Sequence, residues 1–156
     1  MEREKIFIDM TNGKKKLDTS KMDEWTPEEV KEFFPDESEY TGIQVDLIQH
    51  KDFYLKVTLV YIHETEKNTY IEFEAQNRLQ NDIRIHFGKW WMDNQEFDLS
   101  QRTPTLVPTK LETIAFSESV HFMFMESGFA MEVDILDATS HEILKAYDIK
   151  IKVYPS

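Results

Sequence analysis

The sequence predicts a mainly β fold, an antiparallel β-sandwich with one short N-terminal amphipathic helix. Three observations carry that prediction. From Thr41 onward, apolar and polar residues alternate with a period of two in one segment after another, as strands do when one face packs on a core and the other meets water. The segments are short and joined by polar connections, and roughly seven to nine of them suit two packed sheets, with a barrel as the other solution. Helical spacing stands out at residues 27–34, ahead of those strands. The 156 residues are 40% apolar and 13% aromatic, enough to bury a core in one domain. The expected division is an N-terminal segment, residues 1–41, whose helix packs on the core, and a sandwich domain, residues 42–156.

The elements follow in order. IFIDM (6–10) fits a short edge strand, closed by an Asn12-Gly13 turn and the solvated run Lys14, Lys15, Lys16. DEWTPEEVKEFFPDESEY (23–40) holds eight acidic residues against a single lysine, Lys31. Its helix signals agree with one another. Thr26 is placed to N-cap, Pro27 suits the first helical position, and Glu29 completes a capping box. Trp25 and Val30 have the spacing of a hydrophobic staple. Glu28 and Glu29 lie where the helix dipole favours negative charge. Val30, Phe33 and Phe34 form one apolar face, and Pro35 ends the helix.

In FYLKVTLVYIH (53–63), Phe53, Leu55, Val57, Leu59 and Tyr61 share one face on strict alternation. Ile71, Phe73 and Ala75 alternate with Glu72, Glu74 and Gln76, which mark a wet face. Ile83, Ile85 and Phe87 alternate with Arg84 and His86. VHFMFM (120–125) is apolar on both faces, FAMEVDI (129–135) alternates, and Ile149, Ile151 and Val153 alternate with Asp148, Lys150 and Lys152. DLSQRTPTLVPTK (98–110), with two prolines, reads as a crossover between sheets or a functional loop. Trp90 and Trp91 are adjacent, so on a strand one enters the core and the other faces outward.

Chemistry is sparse. Five histidines (His50, His63, His86, His121, His141) make no compact metal spacing, and His63-Glu64-Thr65-Glu66 reads as a polar hairpin turn. Asp134, Asp137, Thr139 and His141 lack the glycine and terminal glutamate of a calcium loop. No cysteine is present, which removes thiolate nucleophiles and Cys-based zinc sites. No nucleophile elbow, Walker or dinucleotide-binding glycine pattern occurs. The expectation is no enzyme and no cofactor or metal. The N-terminus MEREKIFIDM has no secretory apolar region, so the expected location is cytoplasmic. A formal charge of −12, from 30 acidic and 18 basic residues, disfavours direct binding to nucleic acid or anionic membranes and leaves a basic protein partner open.

A strand ending in an Asn turn (TYIEFEAQNRLQNDIRIHF), an aromatic hairpin (KWWMDNQEF) and a late strand–turn–strand (FAMEVDILDATSHEILKAYDIKI) follow one another along the chain. On these features residues 43–154 resemble the small immunoglobulin-like β-sandwich domains of Gram-positive bacteria. The resemblance implies that fold and a non-catalytic binding role.

The expected function is protein binding through the acidic helix and the aromatic hairpin, with Glu28, Glu29, Glu32, Asp36, Glu37, Glu39, Trp90 and Trp91 as contact residues. Two other readings fit the same sequence. One is an acidic inhibitor from a phage or mobile element, of the anti-CRISPR or anti-restriction type, whose carboxylates imitate phosphates. The other is a carbohydrate or small-ligand binder, which requires an exposed ring at Trp90 or Trp91.

Overall fold

The computed structural model describes residues 2–13, 24–28, 44–63, 68–93, 95–98, 103–118 and 127–155. They form ten strands: β1 (Glu4–Asp9), β2 (Val45–Gln49), β3 (Phe53–His63), β4 (Asn68–Asn77), β5 (Ile83–Met92), β6 (Gln95–Asp98), β7 (Thr105–Leu106), β8 (Leu111–Glu118), β9 (Gly128–Asp137) and β10 (Ile143–Lys152). The fold is mainly β, as the alternation requires. The two-residue β7 and four-residue β6 carry too few positions to register as alternating segments. The helix expected at 27–34 lies, beyond Glu28, outside the described residues, as does the strand expected at 120–125.

Two sheets are present. One has six strands in the order β1-β10-β9-β5-β6, with β7 also on β5, and the other runs β2-β3-β4-β8. Every described pairing between these strands is antiparallel except β1 with β10, which is parallel. The chain changes sheet four times among these strands, between β1 and β2, β4 and β5, β7 and β8, and β8 and β9. The proline-bearing stretch at 98–110 leads from the six-stranded sheet, through β7, to β8 in the other, as a crossover does.

The two inner faces share one core. Leu55, Val57, Ile71 and Phe73 come from the four-stranded sheet, and Ile85, Phe87, Trp90, Val133 and Ile149 from the other. Phe73 and Phe87 meet across the layers with ring centroids 5.3 Å apart, within the range of favourable tilted aromatic pairs. Burial follows the expected period on β5 and β9, where alternate residues are buried.

Register shifts interrupt the strand pairing in four places, at 46/48, 57/59, 87/90 and 143/145, and two of them reset long strands. On β3 the register shifts between Val57 and Leu59, so Val60, not Leu59, is the partner of the buried Ile71. One inserted residue thus resets the backbone register of β3 beyond Val57. On β5 the shift falls between Phe87 and Trp90. It lets Phe87 and Trp90, an odd number of residues apart, both enter the core.

Asn77, at the end of β4, is fully buried and locks two connections. Its Nδ2 donates to the carbonyls of Asn81 (2.8 Å) and Leu106 (3.1 Å), and its Oδ1 accepts from Leu79 N–H (2.9 Å). The sequence's Asn turn thus has a specific cause: a buried amide that satisfies three backbone groups.

Candidate functional site

The outer face of the six-stranded sheet carries a groove of about 570 Å³. Its geometry follows from strand register. Phe7 on β1 pairs with Lys150 on β10, Lys150 with Ala130 on β9, and Ala130 with Trp91 on β5. Paired residues share a face, so these four side chains form one row across the sheet. Three strand spacings separate its ends, about 14 Å from Phe7 to Trp91. The small Ala130 makes the floor and the two aromatic side chains make walls. In the next row, Lys5, Asp148 and Glu132 are paired across β1, β10 and β9. Gly88 on β5 comes next: a Cβ there would lie 3.3 Å from the Cβ of Glu132.

Each wall is held by a specific device. Trp90 and Trp91 point to opposite faces, as adjacency on a strand requires. Trp90 is 1% exposed and packs on Phe129 at 6.0 Å between centroids, whereas the half-buried Trp91 lines the groove. The tip of the β5–β6 hairpin is pinned by Asp93, whose φ of 53° suits a tight hairpin turn. Its Oδ1 accepts from Ser127 N–H (2.8 Å), Ser127 Oγ (2.9 Å) and Gly128 N–H (3.3 Å). Gly128 is obligatory there, because a Cβ would fall 2.0 Å from the carbonyl oxygen of Ile151.

Arg3 holds the opposite wall. Its Nε donates to Asp148 (2.5 Å), its Nη1 to Asp134 (2.7 Å) and its Nη2 to the carbonyl of Tyr147 (2.7 Å). Glu132 stands 3.8 Å from Nη2. Partial burial disfavours the guanidinium charge, but the hydrogen bonds and negative charge of Asp148 and Asp134 outweigh it and raise its pKa. One cation thus ties β1 to carboxylates on β9 and β10. Phe7 is left 60% exposed, the most exposed large apolar side chain among the described residues.

The face mixes both signs, with Lys5 and Lys150 beside Glu132 and Asp148. Of the residues predicted for binding, Trp91 lies in this groove and Trp90 lies beneath it in the core. Glu28 is exposed, and Glu29, Glu32, Asp36, Glu37 and Glu39 lie outside the described residues. Sequence reasoning missed Arg3, Phe7 and Lys150. A signal for Phe7 was present: in IFIDM the two isoleucines occupy one face of a strand, which places the phenylalanine on the other.

The hairpin at 137–141 is a polar turn. Asp137 Oδ1 accepts from Thr139 N–H (2.9 Å) and Ser140 N–H (2.8 Å). These bonds hold its carboxyl below the ordinary range. Glu72 and Glu74 are half-buried on the outward side of β4, where Tyr54 and Thr58 contact them. Among the described residues no group of three His, Asp or Glu side chains is arranged to hold a metal, and no helix is long and apolar enough to cross a membrane.

No protein family matches the chain, and no curated protein does. Among solved structures it is similar to the N-terminal domain of PorA, at 10% identity over 64% of this chain and 87% of that one, with a TM-score of 0.35. It is also similar to part of a β-glucosidase from Kluyveromyces marxianus, at 13% identity and a TM-score of 0.28. That match takes in 69% of this chain and 14% of the β-glucosidase.

Proposed function

We propose that this chain is a non-catalytic binding module with an immunoglobulin-like arrangement of strands, and that its partner is a protein segment seated between Phe7 and Trp91. The immunoglobulin-like reading is supported by repeated passages of the chain between the two sheets, β4 to β5, β7 to β8 and β8 to β9 among them, and by the parallel first strand on the edge of the larger sheet. The binding reading rests on one observation: an open groove with Phe7, Ala130 and Trp91 along it and charged residues of both signs beside them. Large aromatic side chains at the centre of a polar surface are what protein interfaces use as anchors. Arg3 is shared by three carboxylates, Glu132, Asp134 and Asp148, and we read this ion-pair cluster as framing a recognition surface rather than supplying a reactive group.

Both charge signs in the groove favour a partner of mixed charge over a uniformly basic one. This is why the phosphate-mimic reading gains nothing from the described face. The test is selection of binders to the full-length chain from a displayed random-peptide library, followed by calorimetry. Trp91→Ala is expected to weaken the selected peptides about thirtyfold, a typical anchor loss. Leu111→Ala, at an exposed position on the other sheet, is expected to leave them unchanged. Peptides insensitive to Trp91→Ala, or binding to a glycan array with no peptide selected, would overturn the reading.

A further inference from the structure

The first strand carries a second recognition property, independent of the groove's partner. β1 is the outermost strand of the six-stranded sheet. Met10, directly after it, donates its N–H to the carbonyl of Lys152 at 2.8 Å. Backbone groups alternate sides along a strand, so Glu4, Ile6 and Ile8 also turn theirs toward β10. Lys5, Phe7 and Asp9 therefore turn their N–H and C=O groups to the open edge, where no described strand pairs with them. Unpaired backbone groups on an edge are a template for another strand.

We propose that this edge pairs with the same edge of a second copy of the chain, antiparallel, across a two-fold axis at Phe7. The residues select this occupant and this register. Centring on Phe7 places Phe7 opposite the partner's Phe7, Lys5 opposite the partner's Asp9, and Asp9 opposite the partner's Lys5. Each of these three pairs exchanges two backbone hydrogen bonds, because these are the residues whose groups face the edge. On the inner side the same register sets Ile6 against the partner's Ile8, extending the apolar layer to which both already belong as partly buried residues. An isologous contact must be self-complementary, and EKIFID is so in charge, aromatic and aliphatic positions at once.

The strand's end agrees with this length. Thr11 donates both its N–H (2.9 Å) and its hydroxyl (2.6 Å) to Asp9 Oδ1. Those bonds take up the next edge-facing amide and hold the Asp9 carboxyl below its ordinary range, so it stays charged. Lysine and aspartate on an edge discourage unrelated strands, while their opposite signs admit the chain's own copy. Pairing would bring two Phe7 side chains together between two grooves and join the binding faces of both copies into one surface.

The chain has no cysteine, which makes the test clean. Directly opposed, hydrogen-bonded residues lie about 5.5 Å apart at Cα, within disulfide range. Phe7→Cys is expected to give a disulfide-linked dimer on mild oxidation, and Ile143→Cys, exposed at one end of β10, to give none. By sedimentation, the wild-type chain of 18.6 kDa is expected to dimerise as concentration rises. Lys5→Glu and Asp9→Lys should each weaken that dimer about tenfold or more, and the double exchange Lys5→Glu/Asp9→Lys should restore it. A wild-type chain that stays monomeric, a Phe7→Cys variant that fails to cross-link, or a folded double exchange that leaves dimerisation weak would each overturn the proposal.

Discussion

Arg3 is the support on which the groove depends, and its removal gives a graded, measurable effect. Arg3→Met keeps much of the apolar stem and deletes the guanidinium. Three short contacts disappear, to Asp148, Asp134 and the Tyr147 carbonyl. Charged hydrogen bonds contribute about 1.5–3 kcal/mol when buried. Arg3 is 26% exposed and Asp148 44%, so solvent screening reduces each to about 1 kcal/mol. Freeing the arginine returns side-chain entropy worth about 1–2 kcal/mol. Against that, Glu132, Asp134 and Asp148 lose the guanidinium they share. The net loss is about 2 kcal/mol, concentrated on the docking of β1.

Hydrogen exchange reads that loss directly. The β10-facing amides of Ile6, Ile8 and Met10 should lose about thirtyfold in protection, since 1.4 kcal/mol is a factor of ten. The core amides of β9 should change far less. High salt should narrow the difference between variant and wild type, because it screens the stranded carboxylates. A change in β1 protection below twofold would refute the role assigned to Arg3.

Other perturbations follow from the same structure. Asn77→Ala strips partners from three backbone groups, at about 1 kcal/mol each; a melting scan should show a fall of about 6–12 °C for a chain of this size. Gly128→Ala forces a Cβ onto the Ile151 carbonyl and should destabilise by at least about 2 kcal/mol in chemical denaturation. The hydroxyl of Tyr147 is buried and has no hydrogen-bond partner among the described residues, so Tyr147→Phe should leave stability unchanged or raise it by about 1 kcal/mol. Desolvation raises the pKa of Tyr147, with Glu4 and Asp52 adding to it, and raises that of Tyr154. A phenol held protonated in the folded state contributes stability that is intact below its unfolded pKa of about 10 and lost as pH rises beyond it. The alkaline unfolding midpoint should therefore move upward in Tyr147→Phe and Tyr154→Phe.

Much of the fold was legible because burial on β4, β5 and β9 follows a local period of two. The opposite fates of Trp90 and Trp91 follow from adjacency on one strand. What the sequence could not convey is long-range register. Glu4 pairs with Tyr147 across nearly the whole chain, and no local pattern encodes that parallel contact. Arg3 gains meaning only once Asp134 and Asp148 are brought beside it. The bulges at 57/59 and 87/90 are equally silent, since one inserted residue leaves composition unchanged while resetting which side chains share a face. The groove arises from four residues on four strands, and only Trp91 stood out by type.

The central proposal is that the outer face of the six-stranded sheet binds a protein segment. A backbone amide chemical-shift map of the full-length chain, titrated with a selected peptide, tests it most directly. The expected footprint covers Phe7, Trp91, Ala130 and Lys150 and their neighbours on β1, β5, β9 and β10. A footprint on β2, β3, β4 and β8, with the Trp91 row unmoved, would contradict it.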